Sequence, residues 1–350
     1  MNNNRSDLTG RIATDLRTFM TDLADTDLFS GSVLLAKNNV SVFDGAYGYA
    51  NKDFKVPNQI DTKFNLGSIN KMFTAVAVLQ LVEQDSLLLD DSLSKFVPNF
   101  PDTAAAEKIQ ISHLLSHTAG LGGYFTKRYK EASRDLLRSV DDMIKLAAAD
   151  ERLLFEPGTR YQYSNTGMLV LGKVIEVISG KSYFDYIRQN IYQPAQMMST
   201  DCYELDQVNA NLAVGYDRQV TERGTGFRNN IFTHVIMGGP HGGGYSTVGD
   251  LLKFSLALQS NVFLKQESVQ RLLSSKPGIN SPLNECGILV QREPLIANYS
   301  GGFMGISTNI DMFLEAGWTA IVLSNYTSAR EPVVKKMREL VTADELSFQS

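Results

Sequence analysis

Residues 69–84 constrain the fold more than any other part of the chain. Met72, Phe73, Ala75, Val76, Ala77, Val78, Leu79, Leu81 and Val82 leave a helix almost no polar side. A helix apolar nearly all round cannot lie on a surface, so other layers must cover it on every side. At 350 residues the chain is long enough to do so, as one large domain or two closely joined ones.

Ser68 and Lys71 stand at the N-terminal end of this helix. Three residues apart on a helix, they share one face. A serine hydroxyl needs a neighbouring base to act as a nucleophile at pH 7. A lysine serves as that base when burial or nearby positive charge lowers its pKa. The first helical turn also offers free N–H groups to an oxyanion. Taken alone, Ser-x-x-Lys is common by chance and describes many surface pairs.

Composition narrows the functional classes. Net charge is −5, which argues against a nucleic-acid partner. No Lys/Arg run exceeds two residues, as at Lys335-Lys336, and no window offers the ~18 apolar residues of a membrane span. The expectation is therefore no nucleic acid and no membrane. The polar start Met1-Asn2-Asn3-Asn4-Arg5 has no apolar signal core, which reads as cytoplasmic. An exported chain whose leader had been removed would read the same.

Cofactor and metal signals are weak. Cys202 and Cys286 lack metal-ligand spacing and are too few for a disulfide framework, though one bridge stays open. His113 and His117 are four apart, but neither a third ligand nor a His-Glu-x-x-His pattern follows. They read as hydrogen-bonded residues fixing the loop that ends at Gly122-Gly123. The Gly-rich turn 238–244 lacks a phosphate-loop lysine. His241 within it could suggest a Ser-His pair, yet it sits in a Gly-rich turn. No metal and no cofactor are expected, and no Gly-x-Ser-x-Gly elbow occurs.

Periodicity places the remaining elements. Leu8, Ile12, Leu16, Phe19, Met20 and Leu23 have helical spacing. Two β-type runs, 29–37 and 40–50, flank Asn38-Asn39 as a hairpin. Helices are expected over 132–150, 168–178 and 182–192, and from Val248 onward, with a polar irregular stretch at 203–235. Strand patterns follow at 286–291, 295–299, 303–308, 312–316 and 319–325, then a helix over 331–341. The expected fold class is α+β. One antiparallel sheet is built from both chain ends and flanked by helices, with a largely helical region inserted. The division falls as 1–66 with 240–350, against 67–239, with the site in the cleft between them.

Several segments, in order, resemble the serine β-lactamase and penicillin-recognising superfamily, more closely its class C-like branch and related carboxylesterases. Ser68-Ile69-Asn70-Lys71 resembles the nucleophile motif. Leu114-Leu115-Ser116-His117-Thr118-Ala119-Gly120-Leu121 is similar to the Leu-Leu-x-His-Thr-Ser-Gly-Leu segment. Pro157-Gly158 through Tyr163-Ser164-Asn165 is similar to the Pro-Gly…Tyr-Ser-Asn motif. Gly243-Gly244-Tyr245-Ser246-Thr247-Val248-Gly249-Asp250-Leu251 resembles the Gly-Gly-x-x-Ser-Thr-x-x-Asp-Leu stretch. The resemblance covers residues 25–345.

It implies that Ser68 forms an acyl-enzyme and that Lys71 and Tyr163 share the base work, a nearby cation lowering the tyrosine's pKa. Asn165 would hold Lys71 and touch the substrate. The Ser68 N–H and a strand-edge N–H, that of Gly302, would form the oxyanion hole. Where the family carries Lys-Thr-Gly or His-x-Gly, this chain reads Tyr299-Ser300-Gly301-Gly302. A neutral phenol cannot draw a substrate carboxylate as a cation does. The expected function is therefore a carboxylesterase acting on short-chain esters. The alternatives are a β-lactamase or D-amino-acid-specific peptidase, an acyltransferase, or a catalytically silent binding relative. The substrate is a small ester, amide or β-lactam, and the sequence does not speak to oligomeric state.

Overall fold

In the computed structural model, residues 2–148, 152–222, 224–274, 283–292 and 295–349 are described. The elements that position the site are helices α1 (Asn2–Asp25), α2 (Asn70–Glu83), α3 (Asn165–Ser179), α4 (Val248–Gln259) and α5 (Arg330–Gln349). The strands are β1 (Gly31–Lys37), β2 (Val40–Tyr47), β3 (Tyr216–Thr221), β4 (Gly224–Asn229), β5 (Leu289–Arg292), β6 (Leu295–Phe303), β7 (Ile306–Phe313) and β8 (Trp318–Ser324).

Six strands form one antiparallel sheet in the order β2-β1-β8-β7-β6-β5. The N-terminal hairpin thus pairs with the last strand of the chain, and the sheet is built from both ends. Asn38 and Asn39 both take positive φ, 47° and 71°, which gives the twist a tight two-residue hairpin needs.

Alternating side chains divide the sheet into two faces. On one face Val33, Leu35, Phe313 and Val322 pack with Ile12, Leu16 and Met20 of α1 and Val333, Met337 and Val341 of α5. On the other, Leu34, Ala297, Ile310, Ile321 and Leu323 join the apolar side chains of α2 and α4. Every residue of α2 from Asn70 to Leu81 is buried, as its all-round apolarity requires. Phe73 meets Phe254 of α4 edge to face, with ring centroids 4.9 Å apart.

The structure departs from the sequence expectations in three places. The stretch 203–235 contains the β3/β4 hairpin, in which Tyr216 packs edge-on against Phe227. The helix expected over 132–150 begins only at Val140. There the Asp142 N–H donates to Ser139 Oγ and the Ser139 N–H to the Asp142 carboxylate, a reciprocal cap that restarts the helix; residues 149–150 lie outside the described residues. At the C-terminal end, β6 runs on through Gly301-Gly302 to Phe303, and β7 joins two segments read as separate strands. Cys202 and Cys286 are both buried free thiols. Among the described residues no helix is long and apolar enough to cross a membrane.

Candidate active site

Ser68 lies in a single 3-10 turn, Gly67–Ile69, that opens directly into α2. This turn is pinned from several sides. The Gly67 N–H donates to Asn65 Oδ1 at 2.9 Å, and the Gly67 carbonyl accepts the Gly243 N–H at 3.1 Å. Thr308 Oγ1 of β7 donates to the Leu66 carbonyl at 2.8 Å. Ser68 is therefore carried by rigid elements rather than a free loop.

Lys71 is fully buried one helical turn on, with Nζ 3.1 Å from Ser68 Oγ. It also donates to the backbone carbonyl of His241. Burial disfavours the ammonium and holds the lysine well below its ordinary pKa. Tyr163 places its hydroxyl 2.8 Å from Ser68 Oγ on the other side. Lys71 Nζ stands 4.9 Å from the centre of the Tyr163 ring. The tyrosine does not ionise easily there: burial pushes it up to about 12, against the opposing effect of its hydrogen bond to Ser68. The expected lowering of Tyr163 by a lysine cation does not arise: the shift is upward, with burial its largest cause.

His117 lies under Tyr163, with ring centroids 4.6 Å apart, and accepts the Ser164 N–H on Nδ1. Burial, then the proximity of Lys71, lowers it to about 3. It is a neutral platform for Tyr163. His113 caps its own short helix by accepting the Gln110 N–H. The two histidines thus have separate local duties.

The strand segment reaches the serine at its backbone. A Cβ on Gly301 would run into the Leu66 carbonyl oxygen and lie 2.8 Å from the Ser68 nitrogen. A Cβ on Gly67 would lie 3.2 Å from the Gly302 nitrogen. These close approaches need glycine and set the Ser68 backbone nitrogen beside Gly301 and the Gly302 backbone nitrogen beside Gly67. Among the described residues β5 pairs with β6 only from Leu295 to Asn298, so the β6 edge beside Ser68 has no neighbouring strand. Two adjacent backbone donors at a free edge can stabilise a developing oxyanion.

The other expected residues divide. Gly302 and Asn165 line the cavity in front of Ser68. Asn165 does not hold Lys71, whose partners are Ser68 Oγ and the His241 carbonyl. Tyr299 is 7% exposed and belongs to the core on the α2 side of the sheet, where burial pushes its phenol far up. Ser300 points the opposite way, because alternate residues of a strand face opposite sides; it lines a groove against α5 with Asn298, Asn309 and Arg330.

The cavity measures about 440 Å³. Beyond Ser68 its wall is aromatic: Tyr124, Phe125, Tyr129 and Phe303, with His234 and Val235. Phe125 stacks on Phe303 at 5.4 Å and 13°. His234, lowered to about 4 by burial, lies against Phe303. Among the described residues, none that lines it is Lys, Arg, Asp or Glu. Sequence reasoning missed this wall; the cluster Tyr124-Phe125 with Tyr129, just after Gly122-Gly123, was its visible signal.

A family model described as Beta-lactamase matches residues 16–343. The chain therefore belongs to the beta-lactamase family, and it is a serine hydrolase of that family. It is 29% identical over 327 residues to penicillin-binding protein 4* of Bacillus subtilis strain 168, covering 89% of this chain and 71% of that protein. The structure of a penicillin-binding protein from Bacillus halodurans superposes with a TM-score of 0.82 at 28% identity, covering 94% of this chain and 98% of that one. EstCE1, described as a hydrolase with promiscuous acyltransferase activity, shares the fold with a TM-score of 0.75 at 21% identity, covering 96% and 98%.

Proposed function

We propose that this protein is a carboxylesterase for neutral esters with short to medium acyl chains, working through an acyl-enzyme on Ser68. The observation that carries this reading is the cavity wall: beyond Ser68 it is largely aromatic, among the described residues no lysine or arginine lines it, and Tyr299 fills the core where the family sets a lysine or histidine. A substrate carboxylate would lose its water in this cavity without gaining an ionic partner. A neutral acyl chain would lose only unfavourable contact with water.

The chemistry follows from the geometry. Lys71, as the free amine, takes the Ser68 hydroxyl proton while Oγ attacks the ester carbonyl. The oxyanion is received by the N–H groups of Ser68 and Gly302. Collapse of the tetrahedral adduct breaks the ester C–O bond. The leaving alkoxide takes up the proton held on Lys71, with the protonated Tyr163 hydroxyl beside Oγ as the relay. Water then attacks the acyl-serine and gives a proton to Lys71; as the acyl C–Oγ bond breaks, Lys71 returns that proton to Oγ, which releases the carboxylic acid and restores Ser68 and the free amine.

A p-nitrophenyl ester series from acetate to decanoate, run on wild type and Ser68→Ala, tests this reading. Turnover that vanishes in Ser68→Ala with an optimum among short to medium chains supports it. A preference of at least a hundredfold in kcat/KM for D-peptides or D-amino-acid amides would overturn it, as would inactivity on every ester.

A further inference from the structure

The Gly301–Gly302 peptide has a second partner on the far side of the sheet. Arg330, the first residue of α5, donates from Nη1 to the Gly301 carbonyl at 2.8 Å. The same peptide unit carries the Gly302 N–H. In a trans peptide the C=O and N–H point in opposite directions. Holding the Gly301 oxygen from the α5 side therefore aims the Gly302 N–H toward the free edge beside Gly67 and Ser68. A cation on the carbonyl oxygen also draws electron density through the amide and strengthens its N–H as a donor.

Arg330 is itself fixed. Its backbone N–H donates to Ser307 Oγ at 3.1 Å, Nη1 lies 3.4 Å from the same oxygen, and Nη2 stands 3.5 Å from Glu331. Its side chain is partly buried behind the sheet and is absent from the cavity wall.

We infer that Arg330 is a positioning residue for the oxyanion hole, acting through the Gly301–Gly302 peptide without touching substrate. This rests on the acyl-enzyme reading above. Arg330 belongs to no motif in the sequence, and its contribution comes from the α5 side of the sheet. A weakened donor costs less than a lost one, so the expected effect is smaller than the loss of roughly 10²–10³ in kcat on removing a donor outright.

The test compares wild type with Arg330→Met, Arg330→Gln and Arg330→Lys. Each is assayed for kcat and KM on p-nitrophenyl butyrate. The ester carbonyl band of the acyl-serine is then recorded by infrared difference spectroscopy with a slowly deacylating, carbonyl-labelled p-nitrophenyl pivalate. Arg330→Met is expected to lower kcat about tenfold with KM within twofold. It should also move the acyl carbonyl band to higher wavenumber. Arg330→Lys should restore most of both effects, and Arg330→Gln, a neutral donor, should fall between. If Arg330→Met does not fold, the Gln and Lys variants decide by the same band. A band unmoved in the folded variants overturns this inference alone. An absent acyl band in wild type overturns the acyl-enzyme reading together with it.

Discussion

Lys71 Nζ lies 3.1 Å from Ser68 Oγ and donates at the same time to the main-chain carbonyl of His241. The amine proposed to take the serine proton is thus aimed by a backbone oxygen, an acceptor that does not itself change charge. Burial keeps it from holding a proton strongly.

Activity should therefore rise with pH along a single acidic limb set by Lys71, below the ordinary lysine pKa. Tyr163, pushed up to about 12, should produce no alkaline limb below about pH 10. A kcat/KM profile checks this. An acidic limb that disappears in Tyr163→Phe would make the tyrosine the titrating base instead.

Lys71 should also cost stability. Its folded-state pKa is lowered, so the unfolded chain binds a proton more readily and stability rises with pH up to about 10.5. Lys71→Met should raise Tm while abolishing turnover. The gain should be largest at pH values below the folded-state pKa and shrink as pH climbs toward 10.5. Thermal melts of both proteins across pH 6–10 measure it; a Tm gain independent of pH would show that the lysine is not held neutral.

Two buried histidines and a partly buried one predict acid sensitivity. His117 and His241 are lowered to about 3 and His234 to about 4, each chiefly by burial. Between those values and about 6.5 the unfolded chain binds their protons and the native chain does not, so stability falls as pH drops through this window. Unfolding at pH 5 should take up about three protons from these groups, measurable as the pH dependence of the unfolding free energy from urea titrations. Uptake near zero would mean the rings are protonated in the folded protein.

Gly301→Ala should cut kcat by roughly 10²–10³. The added methyl cannot fit between Leu66 and the Ser68 nitrogen without pushing the two backbone donors apart. Fluorophosphonate labelling of Ser68 should slow in parallel, while circular dichroism reports an intact fold. Labelling at the wild-type rate would separate Gly301 from the oxyanion hole.

The stacked pair Phe125 and Phe303 should set chain-length preference. Phe125→Ala or Phe303→Ala is expected to lower kcat/KM for hexanoate about tenfold more than for acetate, because one methylene in an apolar pocket is worth about 1–3 kcal/mol at most. Equal losses on both esters would remove these rings from the acyl pocket.

Much of this was readable in the chain because local pattern and global fold agree there. The all-apolar 69–84 stretch had to be central, and Asn38-Asn39 had to turn. Ser68 and Lys71 are neighbours by helical geometry alone. What stayed hidden depends on contacts distant in sequence. A Gly-Gly pair reads as a strand end, yet β6 continues through Gly301-Gly302 because Gly67 packs against it. The His241 carbonyl that aims Lys71 carries no side-chain signature. That Tyr299 faces the core and Ser300 the α5 groove follows from strand register, which one segment does not reveal. His117 had a motif but not its duty, which came from the Tyr163 ring above it.

The proposed chemistry turns on Ser68 taking up a neutral acyl group. The most direct measurement is mass spectrometry of the protein quenched in acid during turnover of p-nitrophenyl butyrate, with peptide mapping of the adduct. A butyryl adduct is expected on Ser68, absent from Ser68→Ala, forming faster than the adduct from a matched ester whose acyl chain ends in a carboxylate. An adduct on another residue, or faster acylation by the carboxylate-bearing ester, would contradict it.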